Sequence, residues 1–142
     1  MVQGNETRVF SSAYLRSTLL LCPVVLVLLG AAVGVLGAFI LSRPVHPLEL
    51  GVAALISIAV GILAVLPMVI MIRGGGLVLL RCATMANMAR LVGIAIGGVA
   101  AVLLLPRDAH KMVLILWLIA FYFLLLIGES IVSSWVMKHS RL

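Results

Sequence analysis

Four long apolar runs constrain this chain more than any other feature. They extend from about Leu15 to Leu41, Leu48 to Ile72, Leu77 to Leu105 and Met112 to Met137. Each exceeds the ~20 apolar residues that cross ~30 Å of hydrocarbon at ~1.5 Å per helical residue. In lipid only a helix or a closed barrel satisfies its own backbone hydrogen bonds, and these runs lack the alternation of barrel strands. They predict an all-α integral membrane protein with four transmembrane helices, forming a single membrane domain over residues 1–142.

Composition agrees. The chain is 65% hydrophobic and only 10% charged, whereas soluble domains average about 45–50% apolar and about 25% charged residues. The formal net charge is +6, which in a soluble protein would suggest nucleic acid. Here the basic residues cluster at the ends of apolar runs, where membrane topology places them. No basic stripe with interleaved aromatics supports nucleic-acid binding.

The connections are short: "SRPVHP" after the first run, "RGGG" after the second and "PRDAHK" after the third. Proline and glycine end helices and make tight turns. Short links force neighbours to run antiparallel, which predicts an antiparallel bundle. With both termini cytoplasmic, Arg8, Arg16, Arg73, Arg81, Arg90, Lys138 and Arg141 lie on the inner side. Arg43, Arg107 and Lys111 lie on the outer side, and the positive-inside rule favours that orientation. The first run is longer than the ~7–15 apolar residues of a signal-peptide core, so it is read as a retained helix. The polar stretch from Met1 to Ser12 is expected to be mobile.

Lipid gives no hydrophobic drive for helix association, so close backbone approach matters. Ala89, Gly93, Gly97 and Ala101 recur every four residues on the third run, and Gly30 and Gly34 form a GxxxG frame on the first. Ala53, Ser57 and Gly61 repeat the spacing on the second. These stripes predict tight packing among the first three helices or docking on a partner's small-residue helices. The fourth run is bulky, with Trp117, Phe121, Tyr122 and Phe123, and is expected to face lipid over much of its surface. Trp135 suits an interfacial aromatic belt.

The stretch "IRGGGLVLLRCATMANMARLVG" from Ile72 places Arg81, Asn87 and Arg90 at the start of a span. Glu129 lies well inside the fourth span, and an acid there needs a partner or water. From the outer ends of their helices, Glu129 is about 26 Å deep, Arg90 about 23 Å and Asn87 about 27 Å. Asn87 and Arg90 also share a helix face. These heights predict an intramembrane polar cluster of Asn87, Arg90 and Glu129, with Arg81 snorkelling to the lipid surface. Ser130, Ser133 and Ser134 are expected to bond back to the helix backbone.

No catalytic constellation appears, so no enzyme and no cofactor are expected. The "GGG" lacks the GK[ST] of a phosphate loop. Cys22 and Cys82 are isolated and read as small buried hydrophobes. His46 and His110 share the outer side, but two imidazoles without an acid or thiol make a poor metal site, so no metal is expected there.

The order of these features resembles the ATP synthase subunit I family. The second run ends "GILAVLPMVIMIRGGG", the third begins "ANMARLVGIAIGGVAAVLL", and the last reads "MVLILWLIAFYFLLLIGE". The resemblance covers roughly Leu15 to Lys138 and is one of hydropathy pattern and a few residues. It implies a non-enzymatic protein of the bacterial plasma (inner) membrane that helps assemble the rotor ring of c subunits. It also implies that the family's basic residue falls on Arg90. Family members often carry an acid three positions earlier, where this chain has Asn87, so an ion site cannot be carried over unchanged. Besides membrane lipid, ATP synthase c subunits are the implied partner, and a homo-oligomer is compatible with the same runs. The alternatives are a small Mg or Ca transporter, a multidrug transporter or channel using Glu129, or the anchor subunit of another complex.

Overall fold

The computed structural model describes residues 12–71 and 76–140. It contains α1 (Ser12–Ile40), α2 (Pro47–Ile70), α3 (Gly76–Leu104) and α4 (Lys111–Ser140). All four are long and apolar enough to cross a membrane, and the described residues are otherwise turns and short links. The protein is an all-helical, multi-pass membrane protein. The helix ends lie within a few residues of those read from hydropathy. Expectations for the Met1–Ser12 tail, the turn at Arg73 and Arg141 fall at least partly outside the described residues.

The turn chemistry explains where the helices stop. After α1, the N–H of Arg43 donates to Ala38 O at 2.9 Å and that of Ser42 donates to Phe39 O at 3.2 Å. Ser42 has φ 51°. This pair of bonds around a left-handed residue is a Schellman cap, which satisfies carbonyls the helix itself leaves open. α2 starts on Pro47, whose missing N–H costs nothing in a first turn. α3 ends just before Pro106.

The four helices form a rhombus in cross-section. α2 and α4 meet across the short diagonal, while α1 and α3 occupy opposite corners, with no Cα atoms within 8 Å of each other among the described residues. The expectation that the first three helices pack on one another is therefore corrected: α1 packs on α2 and α4. The small-residue stripes say why. A Cβ on Gly30 would come within 2.5 Å of Leu124 Cδ2, and one on Gly34 would overlap the Trp117 ring. The GxxxG frame of α1 thus receives bulky side chains of α4. On α3, a Cβ on Gly93 would lie 2.8 Å from Val60 Cγ1, and one on Gly97 2.7 Å from Ile56 Cγ2. That stripe seats α2. Ala101 is buried at its loop end, whereas Ala89 at the other end is exposed.

The fourth helix exposes much of its surface, with Met112, Leu116, Ile127 and Ile131 all on the outside, and buries one stripe. Leu114, Leu118, Phe121 and Leu125 are buried and, with Val27, Ala53 and Ala101, make up the main core cluster. Phe123 remains exposed. A uniformly apolar helix has no polar face to mark its orientation, so its bulk did not say which residues form the buried stripe. Toward the terminal end a smaller cluster of Leu15, Leu19 and Val65 packs with Val132 and Trp135.

Candidate functional site

The polar cluster forms where α3 and α4 run side by side. One α3 turn places Asn87 and Arg90 on adjoining positions of one helix face, and α4 presents Glu129 at the same height. Arg90 Nη2 donates to Glu129 Oε2 in a salt bridge. Arg90 Nη1 donates to Asn87 Oδ1 at 3.2 Å. Arg90 is 1% exposed and Glu129 8%, so the pair is largely enclosed while Asn87 sits at its exposed edge. The structure therefore brings together Asn87, Arg90 and Glu129. It leaves Arg81 exposed, nearer the terminal end.

The pairing answers an electrostatic demand. A lone charge at this depth would be expensive, whereas a paired guanidinium and carboxylate neutralise one another. Neutralisation is incomplete at the level of hydrogen bonds. Among the described residues, Arg90 Nε and Glu129 Oε1 are buried without a hydrogen-bond partner. An unpartnered buried polar atom costs about 1–3 kcal/mol, so the cluster has residual hydrogen-bonding capacity.

A cavity of about 170 Å³ adjoins it, bordered by Met68, Asn87, Glu129, Ser130, Ser133 and Ser134 among others. Ser130 Oγ donates to Leu126 O at 2.6 Å and Ser134 Oγ to Ser130 O at 2.8 Å. These back-bonds use each hydroxyl's proton and leave its oxygen able to accept a further hydrogen bond. Ser133 Oγ lies 3.9 Å from Met68 Sδ and is buried. The arrangement is a polar recess at one height of the bundle, flanked by the main apolar core and the smaller terminal-end cluster.

The packing-stripe residues serve a different purpose. Gly30, Gly34, Gly93 and Gly97 are occupied by neighbouring helices of the same chain. Cys22 is half-buried and Cys82 buried, and both are free thiols.

The sequence reading missed one constellation. His46, Glu49 and His110 converge at the loop end of the bundle. Glu49 supplies the acid that the spacing of the two histidines does not reveal. Its signal was the i, i+3 spacing of "HPLE" at a helix start. His110 joins from 61 residues away, through a loop approach that spacing does not reveal.

Fold and site together define a four-span membrane protein with an internally compensated charge. Comparison with family models, curated proteins and solved structures finds no match.

Proposed function

We propose that this is a non-enzymatic protein of the bacterial inner membrane that assists assembly of a multi-subunit membrane complex. In line with its resemblance to ATP synthase subunit I, the proposed client is the ring of c subunits. The distribution of arginine and lysine supports a cytoplasmic position for both termini. The observation that carries the reading is the Arg90–Glu129 pair with Asn87. The guanidinium falls where the resemblance puts the family's basic residue, and it is tied to a carboxylate of the same chain. A closed pair fastening α3 to α4 suits a scaffold better than a carrier, whose carboxylate must release and rebind cations.

Because the glycine stripes are filled from within, client helices would meet the outer side of α3. Met85, Met88, Val92, Ile96 and Val99 are exposed there, and methionine adapts readily to varied partners. The test is co-purification of c subunits with the tagged protein after lipid-preserving extraction, alongside ring assembly in a deletion strain. A protein that migrates alone, with normal rings in its absence, would sink the reading.

A second reading is favoured by one observation: Glu129 borders a polar recess and keeps an unpartnered oxygen. On that reading Glu129 binds a cation or proton in transit. Flux in liposomes that vanishes in Glu129→Gln would support it, and equal flux in the variant would dismiss it.

A further inference from the structure

The geometry points to a first-row divalent metal site, of the zinc type, built by His46, Glu49 and His110 where the α1–α2 and α3–α4 connections meet. One ligand atom from each of the three side chains lies within 4.8 Å of the other two. The imidazole rings of His46 and His110 are 4.1 Å apart between centroids, tilted by 40°. His110 Nδ1 is 3.8 Å from Glu49 Oε1. Small side-chain rotations bring such a set to the ~2.0–2.2 Å metal–ligand distances of zinc.

The three residues are held in place by the backbone. His46 is the N-cap residue of α2 but makes no side-chain capping bond, so its ring is not engaged in capping. Glu49 sits three residues on, in the first turn of the same helix, and is 5% exposed. Its Oε1 accepts the backbone N–H of His110 at 2.7 Å. That bond fixes the α3–α4 loop against α2 and orients the carboxylate. The carbonyl of His110 in turn accepts the N–H groups of Val113 at 2.9 Å and Leu114 at 3.2 Å, starting α4. The His110 side chain itself is 60% exposed, so the site is open to solvent.

The donor set selects the metal. Two imidazole nitrogens and one carboxylate match the His2Glu set of open zinc sites, with further positions left to water or a fourth donor. Calcium and magnesium prefer all-oxygen surroundings and are disfavoured. Copper and nickel share the ligand preference, and their selection depends on availability and geometry. A bound ion would tie the two loops together across the end of the bundle, and it would stabilise the fold by mass action because the dispersed ligands of the unfolded chain bind it poorly.

Zinc titration of the full chain in detergent, purified on a histidine-free tag, tests this. The expected result is one saturable equivalent of Zn2+ and a rise in the thermal midpoint. Affinity should fall by about tenfold or more in His46→Ala, His110→Ala and Glu49→Gln, and hold in His139→Ala. Circular dichroism confirms that each variant keeps its helices; the two alanine variants change partly exposed end residues, and glutamine retains an acceptor for the His110 N–H. Absence of saturable Zn2+ binding overturns the inference. So does binding that survives in His46→Ala and His110→Ala, or that is lost only in His139→Ala.

Discussion

Arg90 is among the largest fully enclosed side chains of the described residues, and its removal would strand the Glu129 carboxylate. Breaking a buried pair from one side typically costs about 3–5 kcal/mol, while replacing both partners with apolar groups is often neutral. Arg90→Ala should therefore lower stability by about that amount, and Arg90→Leu with Glu129→Leu should recover most of it. Unfolding in mixed micelles measures both. A double variant as unstable as the single one would show that the pair is not what the single substitution disrupts. Asn87→Ala removes one 3.2 Å bond at the exposed edge and should cost only about 0.5–1.5 kcal/mol. At this scale the cluster was legible because rise per residue converts position into depth, and a membrane admits few charges. The histidine–glutamate set was not, because its third member arrives through tertiary approach.

Individual helices carry their own predictions. Ser42 holds a left-handed φ of 51° that glycine adopts without penalty. Since that conformation costs an L-residue about 1–2 kcal/mol, Ser42→Gly should stabilise the protein by roughly 1 kcal/mol in the same unfolding assay. The reverse holds at Gly61, where an added Cβ would stand 2.7 Å from Pro23 Cβ. A proline ring inside a packed helix has little room to yield, so Gly61→Ala should destabilise by about 1–3 kcal/mol. Gly37 has nothing within 4 Å of such a Cβ, and Gly37→Ala should be neutral or better. Equal effects at Gly61 and Gly37 would contradict the helix contacts described. Helix existence and extent were legible here, because hydropathy and proline positions are local. Partner choice was not: the Gly30 and Gly34 frame marks a groove without naming the Trp117 and Leu124 that fill it.

At the scale of the whole molecule, an even number of spans puts the two chain ends on one side of the membrane. Reporter fusions at Met1 and Leu142 should report one compartment, the cytoplasm on the proposed orientation, and opposite compartments would break the four-span arrangement. The rhombic section was beyond sequence reading, since which helices stand at opposite corners is settled by tertiary packing that no periodicity encodes. The salt bridge also imposes a schedule on the growing chain. Glu129 follows Arg90 by 39 residues, and at ~5–20 residues per second the guanidinium waits roughly 2–8 s for its counterion during synthesis. In that interval the third span is a poor candidate for the lipid phase, and a ribosome halted before Glu129 should leave it easy to extract and quick to be degraded.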